Sequence, residues 1–311
     1  MKIALKVDVD TLDGTRHGVP VLAEICKRHG VPATFLFSLG PDHTGRAIKR
    51  VFRPGFLSKV SRTSVLEHYG LRTLLYGTLL PGPDIGRRCA DILRGIAAQG
   101  FEVGVHCYDH ASWQDDLLRS DAAYARKQLR LAYDRFVGIF GFAPRIHGAA
   151  GWQMNDAALL CEEELGFAVA SDTRGSAPFR VKVGEQSLRC LQLPTTLPTL
   201  DELIGQDGEA GADPVAWLLR QTAVPSGDHV YTLHAELEGR RLAPWFDRLL
   251  SGWRAQGYDF VSLGDMAAGL DASQLPERAV RAGTVPGRSG TLAVDVQISF
   301  PVCEQGISNA S

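Results

Sequence analysis

"KVDVDT", Lys6–Thr11, ends an apolar run and places two carboxylates, Asp8 and Asp10, two residues apart. The run it closes, "KIALKVDV", reads as a buried strand, since strands covered on both faces are near-continuously apolar. Active sites of parallel α/β folds lie at the C-terminal ends of strands. Two acids at such an end raise the question of what positive charge meets them.

Outward from this strand, strand-like and helix-like segments alternate. Val21, Leu22, Ile25 and Cys26 form one apolar helical face, stopped by Gly30, and "PATFLFS" follows as a second strand. Ile85, Cys89, Ile92, Leu93 and Ile96 recur at helical spacing before the strand "FEVGVH". Leu129, Ala132, Tyr133 and Phe136 mark another helix. Helices are also predicted over 158–165, 215–219 and 246–253, with strands at "FAVASD", "LRCLQLP", "HVYTLHA" and "YDFVSL". Roughly seven β-then-α units imply a parallel sheet, open or closed, and favour a barrel-like single domain.

Composition sets the outer bounds. The chain has 311 residues and 45% hydrophobic content, enough for a packed core and too apolar for a disordered chain. Lys plus Arg number 33 and Asp plus Glu 35, so no overall field selects nucleic acid. No apolar run reaches the roughly 18 residues of a membrane span. The N-terminus enters a strand without a signal-peptide pattern, so cytoplasmic residence is expected. Cys26, Cys89, Cys107, Cys161, Cys190 and Cys303 form no CxxC pair and read as reduced, mostly buried thiols.

Two regions break the rhythm. Gly45 to Pro83 lacks a clean period and carries Arg46, Lys49, Arg50, Arg53, Lys59, Arg62 and Arg72 against one acid, Glu67. It reads as an insertion between the second and third strands. It is either a solvated helical excursion on the barrel or a basic, apolar surface for anionic lipid or phosphate. After about Gly283 the chain is rich in Gly, Ser and Thr, and this stretch is expected to be a peripheral or disordered tail of a catalytic domain spanning 1–282.

The strand ends collect the polar chemistry. The first gives Asp8 and Asp10, "FEVGVH" ends at His106 with His110 four residues on, "FAVASD" ends at Asp172, and "HVYTLH" ends at His234. An HxxxH pair by itself is a weak signal. With a strand-ending carboxylate pair it becomes a strong one, because two imidazoles and one carboxylate suit zinc or a similar divalent ion and leave positions open for water.

"VDVDT", "HCYDH", "GAAGW", "SDTRG" and "LHAE", in this order, resemble the motifs of the NodB-type polysaccharide deacetylases (carbohydrate esterase family 4). The segments "GPDHTGRAIKR", "PGPDIG", "SDTRGSAPFR", "LPTTLPTLDELIG" and "VYTLHAELEG" resemble one branch, the 4-deoxy-4-formamido-L-arabinose-phosphoundecaprenol deformylases. The likeness runs from Lys2 to Arg288. It implies a distorted (β/α) barrel and metal-dependent amide hydrolysis. By motif, Asp8 is implied as general base, Asp10, His106 and His110 as ligands of a divalent ion (Zn, Co, Mn or Ni), and His234 as general acid. Asp172 is implied to lie near His234 and hold its protonated form. The superfamily's base-orienting arginine has no clear counterpart in "RIHGAAGW"; Arg145 is the candidate, and His147 is unusual there.

The resemblance also implies a substrate, an undecaprenyl-phosphate-linked formamido sugar. It implies formate as product, a peripheral position on the inner face of the cytoplasmic membrane through about 45–83, and no nucleic-acid partner. In the family the amino sugar goes on to decorate lipid A, the link to polymyxin resistance. A backbone N–H of "HGAAG" is expected to help the oxyanion, and Trp113, Trp152 and Phe179 are candidates for the acyl pocket. The rival readings are a deacetylase of another amino sugar, a non-catalytic sugar-lipid binding protein, and a metal phosphoesterase.

Overall fold

The structure, a computed structural model, describes residues 1–47, 73–224, 227–288 and 290–295. The strands are β1 (Lys2–Val9), β2 (Thr34–Ser38), β3 (Glu102–Cys107), β4 (Ile146–His147), β5 (Val169–Ala170), β6 (Phe179–Val183), β7 (Gln186–Gln192), β8 (His229–His234), β9 (Asp259–Val261), β10 (Glu277–Arg278), β11 (Arg281–Gly283) and β12 (Leu292–Val294). The α-helices are α1 (Val19–His29), α2 (Ile85–Arg88), α3 (Ala90–Ala98), α4 (His110–Asp116), α5 (Ala122–Phe140), α6 (Asp156–Leu165), α7 (Leu200–Leu203), α8 (Glu209–Ala212), α9 (Pro214–Gln221), α10 (Ala243–Ala255) and α11 (Leu263–Ala268).

Helix boundaries follow local chemistry. Helix α5 starts where the Asp121 side chain accepts from Tyr124 N, and it stops at Gly141, whose φ of 78° few other residues tolerate. Helix α1 carries Pro20 in its first turn and ends at Gly30 with φ 60°.

The main sheet runs in the order β10-β6-β7-β5-β4-β3-β2-β1-β8, with β9 also on β1. The pairings from β7 to β8 are parallel. The loop that follows β7 meets β8 without forming a strand ladder. Thr196 N donates to Val230 O at 3.1 Å, Val230 N donates to Thr196 Oγ1 at 3.1 Å, and the Thr195 and Thr232 hydroxyls meet at 2.7 Å. The architecture is the distorted barrel expected, joined across this seam by loop rather than strand bonds.

Helices cover the outer face, where Val7, Phe35, Phe37, Phe136, Leu250 and Trp253 belong to one buried cluster. The inner floor is a separate cluster of Ala4, Leu36, Ile146, Val230, Leu263 and Met266, so α11 plugs the bottom. Side chains alternate along a strand. Ala4 lies on that inner floor, and the same face of β1 therefore continues upward through Lys6, Asp8 and Asp10.

Three expectations need correction or restriction. The antiparallel partner of β7, strand β6, was not foreseen; "FRVKV" is short and follows a turn-rich stretch. The tail after 283 is not peripheral at its start. Strands β11 and β12 pair, Val285 and Leu292 are buried with Trp152, and Asp295 is buried against Arg278. Apolar residues spaced among the glycines and serines are what dock it. Most of the basic insertion, 48–72, lies outside the described residues, as do 296–311 and Cys303 within them. Cys26, Cys89, Cys107, Cys161 and Cys190 are free and buried, as expected.

Candidate active site

The strand ends bring Asp8, Asp10, His106, His110 and His234 to one rim. Asp8 pairs in register with Leu36 on one side and His234 on the other. The Asp10 carboxylate sits between two imidazoles, with Oδ1 3.1 Å from His106 Nε2 and Oδ2 3.4 Å from His110 Nε2. One ligand atom from each of the three lies within 4.8 Å of the others. His110 opens α4, whose N-cap Asp109 accepts from Ser112 N, so the short turn between the end of β3 and this helix brings His110 back toward His106.

The donor set fits a divalent cation. His106 is fully buried, and its Nδ1 lies 2.6 Å from Gly148 O, a carbonyl that can only accept. The ring proton therefore sits on Nδ1, and Nε2 turns a lone pair toward Asp10 Oδ1. Both atoms are buried without a hydrogen-bond partner among the described residues. Two facing acceptors of this kind call for a cation between them, and two nitrogens with one carboxylate oxygen suit a catalytic divalent ion. Burial works against the Asp10 carboxylate, but His110 and His106 outweigh it and hold its pKa well below the usual range.

Buried acids from the "HAELEG" turn brace the rim. Glu236 Oε1 accepts from Asp10 N at 3.0 Å and from Thr11 N and Oγ1 at 2.8 Å each. Burial and the nearby Asp10 raise its pKa to about 8. Glu238 accepts from His234 N at 2.8 Å and is raised by burial to about 7.

Asp172 does not lie beside His234. Its Oδ1 is 2.9 Å from His147 Nδ1 and accepts from Ala149 N at 2.8 Å, while Oδ2 accepts from Gln192 at 2.6 Å. Glu162 of α6 contacts the same His147 nitrogen. The reason is topological: Asp172 leaves β5, which lies between β4 and β7, whereas β8 lies beyond β1 in the sheet order. Burial opposes a charged His147, yet the two carboxylates outweigh it and raise its pKa to about 10. Burial likewise lifts Glu162 to about 8.

The carboxylate near His234 is Asp201, with Oδ1 3.8 Å from His234 Nδ1. It rides on α7, held by Thr199 Oγ1 at 2.6 Å and by Arg288 from the segment expected to be a tail. Burial disfavours the charged His234 ring, but Asp201, Asp10, Glu238 and Asp8 prevail and raise its pKa above the ordinary 6.5.

Arg145 is exposed ahead of β4, and the cation on Asp8 is instead Lys6, with Nζ 3.2 Å from Oδ2 and both side chains buried. The stretch "HGAAG" holds no free N–H at Gly148 or Ala149, which donate to Val105 O and Asp172. Trp113 Nε1 donates to Gln153 O, and Trp113 and Phe179 sit in a second core cluster. Of the three aromatic candidates, Trp152 is the one near His234, with ring centroids 6.3 Å apart.

A protein of Shewanella sediminis named "Probable 4-deoxy-4-formamido-L-arabinose-phosphoundecaprenol deformylase ArnD" is 37% identical over 262 residues, 84% of each chain. The chain belongs to this ArnD family. A second family member, from Wigglesworthia glossinidia brevipalpis and carrying the same name, is 31% identical over 286 residues, 92% of this chain and 99% of its own. No family model matches the chain. Among solved structures, a Mycobacterium smegmatis protein assigned as a polysaccharide deacetylase superposes with a TM-score of 0.61 at 19% identity, covering 91% of this chain and 95% of that one. PuuE allantoinase superposes with a TM-score of 0.54 at 17% identity, covering 86% of this chain and 89% of that one. These likenesses are ones of fold, and they place the ArnD family member within the NodB polysaccharide deacetylase fold.

Proposed function

We propose that this chain is a metal-dependent deformylase acting on an undecaprenyl-phosphate-linked 4-deoxy-4-formamido-L-arabinose, releasing formate and the free amino sugar. The observation that carries the reading is the Asp10–His106–His110 donor set on the same rim as a buried carboxylate, Asp8, and a half-buried imidazole, His234. The family names supply the substrate.

A formamide resists water because its carbonyl is resonance-stabilised and its amine leaves poorly. Asp10, His106 and His110 would hold a divalent ion, which when bound acts as a Lewis acid on the carbonyl and on water. Asp8 accepts the proton of the attacking water. His234, whose charged form the carboxylates around it favour, gives a proton to the departing sugar nitrogen. Asp201, rather than Asp172, sits where it can steady that imidazolium.

The membrane partner belongs to the same reading. Leu75, Leu79 and Leu80 are exposed at the described end of the insertion, beside its basic residues in sequence, and anionic lipid would attract them. This would bring the protein to the cytoplasmic face of the membrane; no helix among the described residues is long and apolar enough to cross it. Decoration of lipid A is the expected use of the product.

The test is formate release from a short-chain prenyl-phosphate formamido-arabinose, with and without chelator, on wild type and Asp8→Asn. Chelator-sensitive release that Asp8→Asn abolishes supports the reading. Acetate from acetylated sugars, with no formate from this lipid, would overturn the substrate. Vesicle cosedimentation unchanged when Arg46, Lys49, Arg50 and Arg53 become Glu would remove the membrane surface.

A further inference from the structure

We propose that Lys6 is the positioning residue for Asp8, gripping Oδ2 of its carboxylate so that Oδ1 is the oxygen presented to the reacting water. This rests on Asp8 being the base.

The placement follows from strand geometry. Lys6 and Asp8 are two apart on β1, so both point to the barrel interior. Lys6 is fully buried, and a buried ammonium is costly unless its protons are satisfied. Here it is fixed from three directions: Asp8 Oδ2 at 3.2 Å, Ser171 O at 2.9 Å, and the Trp152 ring, whose centroid is 5.1 Å away. Asp8 Oδ1 has no hydrogen-bond partner among the described residues. One oxygen is therefore tied, while Oδ1 accepts no hydrogen bond among these residues and has His106 Nδ1 3.8 Å away.

The surroundings are shaped to this ammonium. Gly148 leaves it room, since a Cβ there would stand 2.9 Å from Lys6 Cε. Trp152 is held at φ 52°, a conformation a bulky residue keeps only when its neighbours impose it. A purely structural ion pair would fill space equally well, but it would not need one carboxylate oxygen left bare.

The experiment uses the full-length, metal-loaded protein and the prenyl-phosphate formamido-arabinose. Lys6→Gln keeps a donor for Ser171 and drops the charge; Lys6→Met drops both. Each is expected to lower kcat about 100-fold, with KM within about twofold, and with bound metal and thermal midpoint near wild type. Lys6→Arg is expected to recover much of the loss. Adding Lys6→Gln to Asp8→Asn should cost nothing further, because both act through one carboxylate. Wild-type kcat in Lys6→Gln, beside an inactive Asp8→Asn, overturns the role of Lys6 alone. So does a loss in Lys6→Gln that persists in full on the Asp8→Asn background. An Asp8→Asn protein as active as wild type removes the base itself, and Lys6 with it.

Discussion

Asp201 Oδ1 stands 3.8 Å from His234 Nδ1, on a helix that reaches the rim from β7 across the seam of the barrel. The carboxylates around His234 raise its pKa, so its proton is held to higher pH than on a free imidazole and lost as pH rises through the raised value. An acid catalyst must be protonated, so kcat/KM is expected to fall on that alkaline side. Asp201→Asn removes the first of the raising charges and is expected to move the alkaline limb to lower pH. Asp172→Asn is expected to leave its position unchanged. A pH–rate profile of the three proteins decides between them.

Metal removal should act through Asp10, His106 and His110. Dialysis against chelator is expected to abolish formate release, and adding back a divalent ion to restore it. His106→Ala and His110→Ala are each expected to weaken metal retention by about 10-fold or more. Elemental analysis of the purified variants, beside His147→Ala as control, checks this.

The buried His147–Glu162–Asp172 cluster predicts a pH dependence of stability. His147 rises from 6.5 to about 10 on folding, so its contribution is complete below 6.5 and lost as pH climbs through about 10. Glu162 rises from 4.5 to about 8, and its stabilising proton is likewise lost on the alkaline side. The thermal midpoint is therefore expected to decline from about pH 4.5, where the Glu162 contribution begins to fall, through about pH 10, where the His147 contribution is gone. His147→Gln should be less stable at neutral pH and show a shallower decline, read by calorimetry across that window.

Close backbone approach predicts a different failure. A Cβ at Gly18 would lie 1.9 Å from Ala235 O, inside the turn that follows His234. Gly18→Ala is expected to cost about 1–3 kcal/mol and to lower kcat by displacing His234. Gly95→Ala, with nothing within 4 Å, is the matched control and is expected to stay near wild type in both the melt and the assay.

The sequence by itself determined the alternation of strands and helices and the residues that end the strands. Buried strands are apolar throughout, so polar residues at their ends stand out. Asp8, Asp10, His106, His110 and His234 were legible for that reason, and the HxxxH spacing is spanned by the end of β3 and the turn before α4. Only the tertiary structure decided which acid faces which imidazole. Asp172 and Asp201 look alike in a sequence, and the strand order sends the first to His147 while the loop after β7 carries the second to His234. Lys6 was in view from the first six residues, yet a lysine within an apolar strand carries no sign of its partner. Its pairing with Asp8 depends on Ser171, Trp152 and Gly148, which three separate segments bring to the same interior space. Charge pairing in a buried site is set by distances of a few ångströms, and those exist only once the chain has closed.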